Sequence, residues 1–148
     1  MIIAAEPDGF LSWDYFLKTE ENQAYWEKKW TSEQCDVLIN GELHQVKKHG
    51  VASDKWSLMQ NGATLATAEK PSLFRQRFEV KSSSGMLVLQ RIYDLRKSFE
   101  IHRGDDLVGT ISANGQVTRK ATIELSVEDI DFRTAVFLFW LVLISWRR

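Results

Sequence analysis

Three histidines, one cysteine, several paired acids and a run of cations are the side chains here that can do chemistry. His44 and His49 stand five apart across a strand end, and His102 lies far downstream. That spacing suits no standard zinc arrangement, and a single cysteine cannot build a thiolate site, so no metal is expected. Cys35 precedes Asp36, whose charge raises a thiol pKa rather than lowering it, which argues against a reactive thiolate. Arg103-Gly104-Asp105 reads as an integrin-type tripeptide, but a Gly-Asp hairpin turn explains it completely. Asp105-Asp106 and Asp129/Asp131 fall in a turn and a helix start, where acids are common. No nucleophile elbow, phosphate loop or zinc-protease helix occurs. The sequence shows no basis for an active site or a cofactor.

One constellation remains. Arg75, Arg77 and Lys81 alternate along one run, and Arg91, Arg96 and Lys97 belong to the next hairpin. If the two strands pair, these cations share a face about 5–10 Å apart. Residues 70–120 carry 10 Lys/Arg against 5 Asp/Glu, whereas residues 1–69 carry 6 against 11. The middle of the chain is therefore where an anionic partner would be met. Arginine suits lipid phosphates because it bonds them in pairs. The ordinary reading is a solvated strand face, with Glu79 and Asp94 neutralising the cations. Nucleic acid is not expected, because the net charge is −1 and no binding motif appears.

These residues need a scaffold, and its organising element is Ala135–Trp146, apolar everywhere except Ser145. A helix with no polar face must be enclosed on all sides. The 13 residues between Arg133 and Arg147 rise only about 20 Å, short of the ~30 Å of a bilayer core. An enclosure of protein is the first expectation. The alternative is a membrane anchor, with Trp140, Trp146 and the terminal Arg-Arg at the interface. Ser126 is the expected N-cap, with Glu128, Asp129 and Asp131 in the first turns.

The remaining sequence supplies walls for such an enclosure. From Cys35 onward the apolar period is two. Asn40-Gly41, Asn61-Gly62 and Asn114-Gly115 mark hairpin turns, as do Ser82–Gly85 and Gly104–Asp106. Strands are predicted near 35–40, 42–48, 54–60, 63–70, 73–81, 86–93, 98–103, 107–112 and 116–125, with Pro71 bending the chain. Phe74, Phe78 and Val80 face one way along their strand, as do Phe99 and Ile101, and Val117, Ala121, Ile123 and Leu125. Small positions, Ala121 and Gly109, are expected to make room for Phe137 and Trp140. Upstream, residues 1–12 read as a lead-in and about 19–30 as a helix, capped at Thr19 before Glu20-Glu21. The prediction is a mainly β single domain: an antiparallel barrel (35–125) wrapped around a central hydrophobic helix (126–148), with a lead-in and additional N-terminal helix (1–34). At 148 residues and 44% hydrophobic, the chain is long enough for such a core. With no signal peptide recognised and one cysteine, a cytoplasmic setting is expected, peripheral to a membrane if lipid is bound.

This arrangement resembles the tubby C-terminal-like superfamily, which includes tubby proteins, phospholipid scramblases and LURP-one-related proteins. The resemblance rests on Trp56-Ser57-Leu58, Phe78-Glu79-Val80 with Gly85, Phe99-Glu100-Ile101, Val108-Gly109-Thr110-Ile111 and the helix Phe137–Leu143. It covers roughly residues 36–146. Members commonly have about twelve strands, against the nine or ten read here. The resemblance implies a non-catalytic binding domain, since tubby-like domains bind phosphoinositides; scramblases bring the alternative of a membrane-inserted helix. The expected partner is an anionic phospholipid or a protein, with oligomeric state undetermined.

Overall fold

The computed structural model describes residues 1–9, 12–26, 33–50, 54–72, 75–115 and 118–147. Twelve strands form one closed antiparallel barrel. They are β1 (Ile2–Pro7), β2 (Tyr15–Lys18), β3 (Gln23–Trp26), β4 (Cys35–Ile39), β5 (Glu42–Lys48) and β6 (Lys55–Gln60). Then come β7 (Ala63–Glu69), β8 (Arg77–Ser82), β9 (Gly85–Arg91), β10 (Phe99–Arg103), β11 (Asp106–Ala113) and β12 (Ala121–Leu125), followed by helix α1 (Phe132–Arg147). Each strand pairs with its sequence neighbour, and β1 closes the ring against β12 through Ile3↔Ile123 and Ala5↔Ala121.

The turns follow from their residues. Asn40 and Gly41, and likewise Asn61 and Gly62, have φ of 51° and 79°, the left-handed pair a two-residue hairpin requires. Asn114-Gly115 behaves differently, opening a longer connection in which the Asn114 amide donates to the Lys120 carbonyl.

Helix α1 lies in the barrel. Thr134 to Ser145 are all buried, with exposures of 0–4%. Twelve consecutive residues make more than three turns, so no azimuth of the helix reaches solvent. Phe139 meets Tyr15 edge-on at 5.2 Å, and Trp140 meets Trp26 edge-on at 5.6 Å. Inward strand residues such as Phe78, Val80, Leu87, Leu89, Phe99, Ile101 and Ile123 complete the core.

Four expectations are corrected. No N-terminal helix exists among the described residues: Tyr15–Lys18 and Gln23–Trp26 are strands, while 27–30 lie outside that description. The Thr19 hydroxyl accepts the amides of Asn22 (2.9 Å) and Glu21 (3.3 Å), so cap-like chemistry closes a hairpin turn instead of starting a helix. The lead-in is β1, buried through Ile3 and Ala5. These strands raise the count to twelve. The α1 cap is Asp131, whose Oδ1 accepts the Thr134 amide at 2.9 Å; the Ser126 amide instead extends the sheet by donating to the Val108 carbonyl. Gly109 does not make room for α1 side chains. A Cβ there would sit 2.7 Å from the Glu124 carbonyl oxygen, so what it admits is the neighbouring strand.

Candidate functional site

One end of the barrel, where the last turn of α1 emerges, carries a cavity of about 660 Å³. Its walls include Trp13, Arg91, Lys97, Arg119 and Trp146. Trp13 precedes β2 and is held by its carbonyl, which accepts the Trp26 indole N–H at 3.2 Å. The Arg119 guanidinium lies over the Trp13 ring at 4.9 Å and that of Arg147 at 6.0 Å, so two cations share one aromatic face. The Trp146 indole donates to the Lys97 carbonyl at 3.0 Å, tying the helix end to the β9–β10 connection.

That connection is itself braced. The Asp94 carboxylate accepts the Ser98 amide at 2.9 Å and the Ser98 hydroxyl at 2.8 Å. These bonds, the amide first, hold Asp94 below the usual carboxylate range. Asp94 is the one acid among the described residues lining the cavity, and its oxygens are engaged within the loop. Arg91 lies 5.1 Å from the Tyr93 ring, and its enclosed Nε has no hydrogen-bond partner among the described residues. Three cations thus line one space against a single carboxylate, which its Ser98 bonds keep ionised. Such a space attracts anions.

The cations anticipated from sequence are divided among several places. Arg91 and Lys97 line the cavity. Arg96 is exposed in the same connection, where its carbonyl accepts the Ala113 amide. Arg77 stands opposite Gln90 on the outer face, and Arg75 precedes β8 rather than sharing its alternation. Lys81 lies opposite Met86, four residues or about 13 Å along the strand from Arg77. It borders a groove of about 340 Å³ with Lys55, Glu69 and Glu79. Trp13, Arg119 and Trp146 were not anticipated. Each lies far from the stripe in sequence; the β10–β11–β12 pairing brings Arg119 to it, the β1–β12 seam brings Trp13, and the bond to Lys97 brings Trp146.

Other reactive types are separated. His44 points into the barrel with Nδ1 2.9 Å from the Glu42 carbonyl, His49 meets the Ser57 hydroxyl, and His102 pairs with Glu100 at 3.1 Å. No group of three potential metal ligands occurs among the described residues. Burial, with Asp36 second, pushes the Cys35 thiol up. Arg103 of the adhesion-like tripeptide pairs with Asp129 at 3.0 Å. Among the described residues no helix is long and apolar enough to cross a membrane.

Tyr15 links the site to the core, its hydroxyl donating to the Arg119 carbonyl at 2.6 Å. Burial pushes the phenol from 10.0 up to about 12, against the opposing Arg119 charge. The raised value means this group's contribution is intact below pH 10 and lost as pH rises toward 12. Denaturant titrations across this window are expected to show an alkaline loss of stability that is smaller in Tyr15→Phe. An identical alkaline profile in the variant would exclude Tyr15 as its source.

Comparison of the chain with protein-family models, curated proteins and solved structures finds no match.

Proposed function

We propose that the chain is a non-catalytic binding domain of tubby C-terminal-like type that takes anionic lipid head groups at the cationic end of its barrel. The twelve antiparallel strands and C-terminal helix are compatible with that family's architecture. The carrying observation is that Arg91, Lys97 and Arg119 line one cavity in which Asp94 is the one acid among the described residues. A lipid source is favoured over soluble phosphate by the rim. Tyr93 and Leu95, in the same connection as Lys97, are 77% and 80% exposed. An apolar rim beside cations matches the boundary between head groups and acyl chains. This reading places the protein peripherally on a membrane face rich in anionic lipid. The alternative anchor through α1 is opposed by that helix's burial on every side.

Vesicle sedimentation with phosphoinositide-containing liposomes tests the proposal. Each cation near an anionic surface contributes about 1 kcal/mol, so Arg91→Gln/Arg119→Gln is expected to weaken binding about thirtyfold. Binding should also fall with added salt. Tyr93→Ser/Leu95→Ser should weaken vesicle binding while leaving affinity for a soluble inositol phosphate unchanged. Unaltered vesicle binding by Arg91→Gln/Arg119→Gln, with its thermal melt preserved, would overturn the assignment.

A further inference from the structure

Away from the cationic end, the outer face of β2–β5 carries an apolar row that the alternation rule does not explain. Outward positions in register run Phe16↔Tyr25, Tyr25↔Leu38 and Leu38↔Leu43. Phe16 and Tyr25 stack at 4.4 Å. Phe16, Leu38 and Leu43 remain 37%, 45% and 53% exposed. Other outward positions of these same strands are largely charged or polar, as at Lys18, Asp36, Gln45 and Lys47. Four apolar side chains on four adjacent strands make one continuous strip about 14 Å long, from inter-strand spacings of ~4.8 Å.

The border of the strip is mostly acidic. Glu6 continues the row as the register partner of Phe16, and Asp36 lies two residues from Leu38 on the same face. Asp8 accepts the Tyr25 hydroxyl at 3.4 Å. Among the described residues Lys18, over the Phe16 ring at 5.9 Å, is the cation beside them. This acid border repels anionic lipid, so the strip is not a second membrane face. Four side chains also fall far short of the ~20–30 residues a side of a standard protein interface, which argues against a second copy of the chain. Nor can a partner add a strand here, because the barrel is closed and these strands have no free edge. An occupant must lie across the strands and bind through side chains. A helix with anchors at i, i+3, i+4 and i+7 spreads them over about 10 Å, comparable to the strip.

We infer that the outer face of β2–β5 is a docking surface for a basic amphipathic helix of a protein partner, gripped by Phe16, Tyr25, Leu38 and Leu43 and steered by Glu6, Asp8 and Asp36. It is independent of the cavity and stands whether or not lipid is bound there.

The probe is a labelled Leu/Lys peptide with Leu at i, i+3, i+4 and i+7, followed by fluorescence anisotropy with the full chain. A Leu/Glu peptide of the same pattern is the mirror control. The Leu/Lys peptide is expected to bind, and Leu38→Ser/Leu43→Ser to weaken it by about tenfold, as for loss of interface anchors. Glu6→Lys/Asp36→Lys should weaken it comparably, whereas the charge-matched Asp105→Lys/Asp106→Lys in a distant turn should leave it unchanged. Retained binding by Arg91→Gln/Arg119→Gln separates this surface from the cavity. Absence of binding, equal binding of the Leu/Glu peptide, or equal loss in the Asp105/Asp106 variant would overturn the inference. So would a dimer in sedimentation that Leu38→Ser/Leu43→Ser dissociates, since the strip would then belong to a second copy.

Discussion

Replacing Phe139 or Trp140 with alanine is expected to lower unfolding free energy by about 3–5 kcal/mol each, near the whole stability of a marginal domain, ~5–15 kcal/mol. Both side chains are at most 1% exposed and contact residues from the barrel wall. The wall is hydrogen-bonded around its full circumference, so it cannot readily collapse onto the space left behind, and the cavity cost stays near its upper range. Each variant should melt roughly 10 °C or more below the parent. Because the rings pack against a shared Trp26, the double variant should not be additive. Wild-type thermal stability in Trp140→Ala, accompanied by lost membrane affinity, would instead show α1 working outside the barrel.

The second large effect is expected at Gly109. A Cβ there would meet the Glu124 carbonyl oxygen at 2.7 Å, Leu125 Cδ2 at 2.8 Å and Ile101 Cδ1 at 3.2 Å. The nearest atom is backbone, in the strand that carries the seam to β1, so rotamer change cannot relieve the clash. The β10–β11 register shifts beside this point, between Ile101 and His102, and the bulge brings the strands close at a position only glycine fits. Gly109→Ala is expected to cost about 3 kcal/mol, at the high end for overpacking. Gly115→Ala is the control: among the described residues its Cβ would find only Thr118 Oγ1, at 3.6 Å, and it should change stability by less than ~0.5 kcal/mol. Equal denaturation midpoints for both variants would refute the close-approach argument.

The fold was legible wherever a strand was long enough to show its period. Glu42–Lys48 alternates through His44 and Val46, and the Asn-Gly pairs at 40–41 and 61–62 mark their turns. Tyr15–Lys18 and Gln23–Trp26 are four residues each, too short for alternation to outweigh the helix-start chemistry of Thr19. The α1 boundary was misplaced for a related reason. Acids precede the helix over several residues, and only the Asp131 bond to Thr134 identifies the cap. The candidate site was legible in charge but not in shape. Arg91 and Lys97 stood out in the basic segment, whereas Arg119 arrives through the β10–β11–β12 pairing, Trp13 through the β1–β12 closure and Trp146 through its bond to Lys97. The other stripe cations scatter because Arg75 precedes its strand and Lys81 sits at that strand's far end.

The seam has a further consequence for how the molecule comes into being. Ile2–Ala5 finds its partners at Ala121–Glu124, so the barrel's first strand waits for its twelfth before it can pair there. Through that interval the nascent sheet stays open, with raw edges and its greasy face uncovered. The rod that fills it is translated later still. Contacts this remote along the chain close slowly, so sealing the ring, and not forming any one hairpin, sets the pace of folding.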